Sequence, residues 1–188
     1  NFLGLMHSIR PAMPFIINVE NLNGLESAVF APDLNTELVL NRGDGLIVIE
    51  TAVLQILHKY RQCHHRQPEQ GGVFIGEIRS PHIVITHVTE PGPHDLASRF
   101  GFVRKKRHHQ TIVDELWQTS GGYLIYLGEW HTHPESHPSP SATDIASWKK
   151  NLPHNQCSIV AIIGQESDWW GYSEDGVVNH LVYEQRLI

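Results

Sequence analysis

Short apolar runs separated by turn residues recur along this chain, and their pattern predicts many β-strands with a few helices between them. The predicted strands are rich in branched and aromatic side chains and span residues 46–49, 69–77, 82–89, 123–130, 157–163, 169–172 and 177–183. The sequence Ser173-Glu174-Asp175-Gly176 predicts a hairpin turn between the last two of them.

Three stretches have the spacing of an amphipathic helix. The first opens at Thr51 and is stopped by Pro68; the second lies in an apparent insertion, residues 94–121; the third opens at Ser141 and sets Ile145 and Trp148 on one apolar face. The apolar positions of the first two helices are Val53, Ile56, Leu57 and Tyr60, then Ile112, Val113, Leu116 and Trp117. Because strands and helices alternate irregularly, we predict an α+β fold, a mixed, largely antiparallel curved sheet packed against two or three helices.

The first 44 residues are the least periodic part of the chain. They contain short strand-like runs at 15–19, 27–30 and 37–40, separated by prolines and by an Asn23-Gly24 turn signal. We therefore expect an N-terminal accessory segment at residues 1–44 and the main domain at residues 45–188.

Composition narrows the classes of partner. A net charge of −6 over 188 residues gives no general case for nucleic-acid binding, and the basic run 104–107 is expected to be a solvated loop. Runs as long as the roughly 18 apolar residues of a membrane span do not occur, so no membrane partner is expected. The two cysteines, Cys63 and Cys157, are expected to be reduced thiols in a cytoplasmic protein. The pattern does not indicate an oligomeric state.

The segment His131-Thr132-His133-Pro134 carries the clearest chemical signal. Residues two apart in a strand project from the same face, and Pro134 has no N–H to continue the ladder. Ser141-x-x-Asp144 then fits the start of a helix, which returns the Asp144 carboxylate toward the two imidazoles. Two histidines and one carboxylate leave a coordination position of Zn²⁺ open for water, as in catalytic zinc sites.

A simpler interpretation of the same residues stays open. A His-x-His pair occurs often by chance, and Ser-x-x-Asp is common as an ordinary helix capping box. His137, in the same loop, is a competing candidate ligand. The order of two imidazoles, a proline stop and an acid at the next helix start favours the metal site.

A hydrolytic metal site also needs a general base. The candidates are Glu69, Glu77, Glu129 and Glu135. Glu69 is followed by Gly71 and Gly72, which allow a close approach of backbone, but the residues alone do not exclude the other acids.

Taken together, Glu69-x-x-Gly72-x-x-x-Gly76 and the His131-x-His133-Pro134 and Ser141-x-x-Asp144 motifs resemble the JAMM signature of the JAB/MPN metalloprotease family. The resemblance covers roughly residues 46–185. It implies a JAB/MPN-like, cytidine-deaminase-like fold with His131, His133 and Asp144 as zinc ligands. It also implies that Glu69 is the base that activates water and that Ser141 helps to hold the oxyanion.

A narrower resemblance is carried by the sequence Gly128-Glu129-Trp130-His131-Thr132-His133-Pro134, which follows a helix-bearing insertion that ends Ser120-Gly121-Gly122. It is to bacterial JAB proteins encoded beside ubiquitin-transfer-like enzymes, including deconjugating peptidases of CBASS anti-phage operons. It implies a Zn-dependent (iso)peptidase that cuts the amide bond after the C-terminus of a conjugated ubiquitin-like or CD-NTase (cGAS-like) protein. The implied partner is a protein substrate with an extended C-terminal tail. The alternatives are processing of a sulfur-carrier-like precursor and a non-catalytic MPN scaffold, although scaffolds typically lose ligands and every ligand position is filled here.

Overall fold

The computed structural model of the protein describes residues 37–183, so the strand-like runs predicted at 15–19 and 27–30 lie outside the described residues. The strands are β1 (Leu38–Asn41), β2 (Leu46–Ile49), β3 (Gly71–Arg79), β4 (His82–Val88), β5 (Leu96–Ser98), β6 (Gly101–Val103), β7 (Ile125–Thr132), β8 (Ser158–Ile163), β9 (Asp168–Glu174), β10 (Val177–His180) and β11 (Val182–Tyr183). The helices are α1 (Thr51–Lys59), α2 (Lys106–Thr119) and α3 (Ala142–Asn151).

Nine of these strands form one sheet in the order β10-β9-β8-β7-β3-β4-β2-β1-β11. Strand pairs β7·β8 and β2·β4 are parallel, and the other neighbours are antiparallel. Strands β10 and β11 follow each other in sequence yet lie at opposite ends of this order, so the sheet curls until its two edges approach. The predicted α+β fold class, a mixed and largely antiparallel curved sheet packed against two or three helices, is confirmed, and the helices described are three.

The core occupies both faces of the sheet. Strand β8 is buried at all six positions because alternate residues serve different layers. Ile159, Ala161 and Ile163 join the main core, while Val160 and Ile162 pack with Trp148 of α3 and with Leu152, which directly follows that helix. The central strands are thus covered on both sides, which fixes the strand that precedes the His-x-His motif.

Helix α1 begins at Thr51 as predicted and buries Val53 and Leu57 against the main core. It ends at Lys59, well before Pro68. The polar stretch that follows contains turns and connects α1 to β3. In the part of the chain that the structure describes, no helix is long and apolar enough to span a membrane.

The insertion contains more structure than the sequence predicts. Its strands β5 and β6 pair as a two-stranded hairpin apart from the main sheet. The sequence indicates a short strand at 100–103, which corresponds to β6, but gives no signal for β5. The expectation of a loop at 104–107 is wrong in part, because α2 begins at Lys106, although Lys105, Lys106 and Arg107 are exposed. The helix extends one turn further toward the N-terminus than the apolar residues indicate, and in that turn His109 is the buried residue. Lys106 and Arg107 lie on the solvent-exposed side of the helix.

The end of β7 and the buried face of α3 also differ from expectation. Strand β7 runs on through Thr132 instead of ending at Trp130, because its pairing with β3 and β8 continues to that point. Ile145 was expected to share the apolar face of Trp148, but it is 38% exposed whereas Trp148 is 1% exposed. Only one side of α3 faces the sheet, and Leu152, one turn after Trp148, is its second buried contact.

Candidate active site

The two histidines lie where β7 leaves the middle of the sheet. Thr132 between them is fully buried, and His131 and His133 project together from the other side of the strand, where both line a cleft. The His133 N–H still donates to the Ile163 carbonyl at 3.1 Å, which holds the chain end against β8. The predicted same-face arrangement of the two imidazoles is confirmed.

The predicted capping box at the start of α3 is also confirmed. The backbone N–H of Asp144 donates to Ser141 Oγ at 3.2 Å, and Asp144 Oδ2 accepts from the Ser141 N–H at 2.7 Å. The Ser141 hydroxyl additionally donates to Asp144 Oδ2 at 2.6 Å. These bonds fix the orientation of the carboxylate. They also engage the only proton of the Ser141 hydroxyl, so its role toward an oxyanion requires that bond to be given up and stays a prediction.

Nitrogen and oxygen atoms of three side chains converge at this point. His131 Nε2 lies 3.1 Å from His133 Nε2 and 3.3 Å from Asp144 Oδ1, and His133 Nε2 lies 3.5 Å from Asp144 Oδ2. Metal–ligand distances of about 2.0–2.2 Å in a tetrahedral site set neighbouring ligand atoms about 3.3–3.6 Å apart. The three side chains therefore fit the dimensions of a Zn²⁺ site. The competing candidate, His137, is instead exposed and bonded to Ser167 Oγ at 2.9 Å.

The charge state of the cluster follows from these contacts. Burial alone would raise the pKa of Asp144, but hydrogen bonds from His131 and His133 outweigh it and hold the pKa well below its usual range. Burial alone would lower the pKa of His133, but Asp144 and then Glu69 outweigh it and raise the pKa. The site is thus built around one firmly ionised carboxylate, which is the state a metal ligand requires.

Glu69 supplies a second carboxylate from the segment just before β3. Gly71 of β3 pairs with His131 of β7, which brings the residues just before β3 beside the ligands. Glu69 is 6% exposed, and its backbone N–H donates to the Ser98 carbonyl at 2.7 Å. Burial raises the pKa of Glu69, with His133 and His131 offsetting part of the effect. A carboxylate with a raised pKa accepts a proton more readily, as a general base must.

The other three acids lie in less suitable surroundings. Glu77 forms an ion pair with Arg79 at the end of β3 away from the histidines, and Glu129 accepts from Arg104 at 2.7 Å. The Glu135 side chain is 55% exposed and lies 3.7 Å from His133 Nδ1. Of the four candidates, Glu69 is the one buried beside both imidazoles, which favours it as the base; the assignment stays a prediction.

A cleft of about 1120 Å³ opens onto the three candidate ligands and Glu69. The first turns of α3 form one wall and the β5–β6 hairpin forms the other. Apolar side chains of the hairpin stand exposed beside it: Leu96, Phe100 and Val103. A cleft of this size between two walls fits a stretch of polypeptide better than a small metabolite.

A buried polar network anchors the hairpin and α2 to the sheet. The Thr89 hydroxyl lies 2.6 Å from His109 Nδ1, and His109 Nε2 lies 3.0 Å from Asp95 Oδ2. Thr89 Oγ1 also accepts from the Val73 N–H at 2.9 Å. This geometry fits a neutral His109 that accepts from Thr89 and donates to Asp95.

This network predicts a pH dependence of stability. Burial lowers the pKa of His109, and Asp95 offsets only part of the effect. Burial would raise the pKa of Asp95, but the N–H groups of Lys105 and Gly92 and then His109 outweigh it and lower the pKa. Both groups bind protons more weakly in the folded state than in the unfolded chain. The contribution of His109 is therefore complete above about pH 7 and is lost as the pH falls through its lowered pKa, whereas that of Asp95 is complete above about pH 4 and is lost below that.

We expect thermal unfolding to report this loss. Between about pH 7.5 and about pH 4.5, the midpoint Tm should fall by roughly 3–10 °C more in the native protein than in His109→Gln, which lacks the titrating imidazole. His65→Gln, a change at an exposed histidine, serves as the control and should keep the native dependence. An unaltered pH slope in His109→Gln would contradict the assignment.

Residues 50–173 match the prokaryotic homologs of the JAB domain, and the chain belongs to that family. The family resemblance drawn from the JAMM-like motifs is thereby confirmed.

The names of individual relatives agree on one class of enzyme. The chain is 43% identical over 139 residues to a protein of Escherichia coli named CD-NTase/cGAS isopeptidase, covering 74% of this chain and 89% of that protein. It is 43% identical over 141 residues to a protein of the same name from Vibrio cholerae, covering 74% and 90%. A probable metalloprotease of Sinorhizobium fredii is 32% identical over 101 residues, covering 53% and 61%. These names support a peptidase or isopeptidase.

A likeness in fold extends to a more distant protein. The solution structure of a protein from Desulfitobacterium hafniense superposes with a TM-score of 0.53 at 19% identity, covering 71% of this chain and 88% of that one. At this identity the likeness bears on the fold alone.

Proposed function

We propose that this protein is a zinc-dependent isopeptidase that cleaves the amide bond after the C-terminus of a conjugated CD-NTase (cGAS-like) or ubiquitin-like protein. The observation that carries the proposal is the convergence of His131, His133 and Asp144, with ligand-atom separations of 3.1, 3.3 and 3.5 Å, next to the buried Glu69. The relatives named CD-NTase/cGAS isopeptidase support this choice of substrate.

His131, His133 and Asp144 would hold the ion. When bound, Zn²⁺ would polarise an amide carbonyl and bring the pKa of a water molecule close to neutral pH. Two imidazole nitrogens and one carboxylate oxygen match the donor set that catalytic zinc sites use, and they leave a position for substrate or water. Zinc is therefore the cofactor that we propose.

Glu69 would perform the proton transfers. Its buried carboxylate takes a proton from the attacking water as the oxygen bonds to the scissile carbonyl carbon. The same proton then passes to the amide nitrogen as the carbon–nitrogen bond breaks, so that a neutral amine leaves. The second proton of the water stays on the new carboxyl group and is lost to solvent, which leaves a carboxylate. A raised pKa for Glu69 suits both transfers, because the group must accept the proton and then release it.

The cleft accounts for the class of substrate. An extended C-terminal tail lying between the β5–β6 hairpin and α3 would pass the candidate ligands, with the apolar side chains of Leu96, Phe100 and Val103 available to it. The short hairpin also offers backbone groups that a tail can pair with as an added strand. We extend the proposal to a role in anti-phage defence in the cytoplasm, which rests on the resemblance to CBASS peptidases.

Cleavage of two matched probes tests the proposal. One probe joins the C-terminus of a CD-NTase to the lysine Nζ of a labelled peptide, and the other joins the same C-terminus to a linear peptide extension. We expect release of the intact CD-NTase from the lysine-linked probe in the presence of zinc. Preference for the linear probe would indicate precursor processing, and cleavage of neither by the zinc-loaded protein would favour a non-catalytic scaffold.

A further inference from the structure

Gln62 is a fully buried glutamine in the segment between α1 and β3. Its Nε2 donates to the carbonyl oxygens of Gln67 at 3.1 Å and Arg99 at 3.2 Å, and its Oε1 accepts from the Thr132 hydroxyl at 3.0 Å. The amide can take only this orientation, because turning it over would set Oε1 against two carbonyl oxygens. Three of its four hydrogen-bonding positions are therefore used inside the protein.

The partners of Gln62 belong to three separate parts of the active site. Gln67 lies two residues before Glu69, Arg99 lies in the turn between β5 and β6, and Thr132 separates the two histidines. One side chain thus bridges the segment that carries the base, the hairpin wall of the cleft, and the strand that carries two ligands.

The bonds made by these partners extend the connection to Glu69 itself. Thr132 Oγ1 accepts from the Gln70 N–H at 3.0 Å, and the Thr132 N–H donates to the Gln70 carbonyl at 2.8 Å. On the other side, the Glu69 N–H donates to the Ser98 carbonyl at 2.7 Å. Glu69 is therefore held between the hairpin and β7 by backbone bonds, and Gln62 contacts both of those supports.

We propose that Gln62 is a positioning residue that sets the distance of the Glu69 carboxylate from the zinc ligands, an inference that rests on the proposed isopeptidase function. The segment between α1 and β3 is irregular, so helix or strand ladders do not fix it. A buried amide is costly to desolvate and is retained where its hydrogen bonds specify one arrangement of the chain. Without it, residues 67–70 can shift relative to β7.

The test compares Gln62→Met, which keeps the size of the side chain and removes its hydrogen bonds, with Leu57→Ala, a core change in α1. We expect Gln62→Met to lower kcat roughly 10- to 100-fold on the lysine-linked CD-NTase probe, with KM changed less than about threefold and zinc content retained. Leu57→Ala should lower Tm and leave kcat near the native value at temperatures where it is folded. If both variants lose kcat in proportion to their Tm, the role of Gln62 is merely structural.

A double-variant cycle with Glu69→Gln separates positioning from other effects. If Gln62 acts through Glu69, Gln62→Met should have less than about a twofold effect on the residual rate once Glu69 is replaced. Equal fold-losses in both backgrounds would overturn the proposal. If Gln62→Met does not fold, Thr132→Val removes both the hydroxyl that donates to Gln62 and the acceptor of the Gln70 N–H, and it should give at least as large an effect with the same dependence on Glu69.

Amide hydrogen exchange supplies a readout that needs no turnover. Peptides covering 67–71 should exchange at least about tenfold faster in Gln62→Met than in the native protein, while peptides of β8 should not change. Unchanged exchange at 67–71 would overturn the inference even if the enzyme is active. Faster exchange in a protein that cleaves neither probe would instead place the failure in the proposed function.

Discussion

Replacing Glu69 with Gln should lower kcat on the lysine-linked probe by about 10²–10⁴-fold, which is the range that a general base contributes. Glutamine matches the shape of glutamate but cannot take a proton from water or pass it to the leaving amine. The ligand group His131, His133 and Asp144 is untouched, so zinc content should remain near one ion per chain. Tm should be unchanged or slightly higher, because burial already disfavours the charged form of Glu69.

The matched control is Glu77→Gln. Glu77 lies in β3, which directly follows the segment of Glu69, but it pairs with Arg79 at the far end of that strand. Its neutralisation should therefore leave kcat within about twofold of the native value. Normal turnover by a zinc-loaded Glu69→Gln protein would remove Glu69 from the role of base and reopen the choice among the other acids.

His133→Ala should abolish both zinc binding and turnover. His133 contributes one of three ligand atoms and is 8% exposed, so water cannot readily restore the coordination from that side. The zinc content, measured by elemental analysis, should fall from about one ion per chain to near zero. In the native protein, zinc at about 1,000 times its Kd contributes about 4 kcal/mol, which corresponds to a rise in Tm of roughly 8–16 °C. That rise should disappear in the variant.

His137→Ala provides the control within the same loop. His137 is exposed and bonded to Ser167, so the variant should keep its zinc, its zinc-dependent rise in Tm and its activity. Loss of zinc from His137→Ala, with retention in His133→Ala, would mean that the metal is held by a different group of ligands.

The parts of the site that the sequence predicts are those encoded by local rules. The alternation of side chains along a strand predicts the shared face of His131 and His133, and the capping box predicts the position of Asp144. Strand β2 and the start of α1 are likewise fixed by a bounded apolar run and by helical spacing. The choice of Glu69 needed a family resemblance, because its approach to the histidines depends on the pairing of Gly71 with His131 across distant strands.

The supporting residues were not predicted, because their partners are distant in the sequence. Gln62 lies in a polar stretch with no periodic signal, and its role depends on carbonyl groups from two other segments. His109 did carry a usable signal. It occupies the apolar face of α2 together with Ile112, Val113 and Leu116, and a histidine at such a position is expected to be buried with polar partners.

The nine-stranded sheet also constrains the order in which the chain can fold. Leu40 of β1 pairs with Tyr183 of β11, so the last strand of the described chain completes a contact with the first. Contacts between residues so far apart in the sequence form late, because the chain entropy lost in bringing them together is large. During synthesis, the outer edge of β1 therefore stays unpaired until β11, the last strand of the described chain, has left the ribosome. The ligand-bearing segment from β7 to α3 emerges well before that closure.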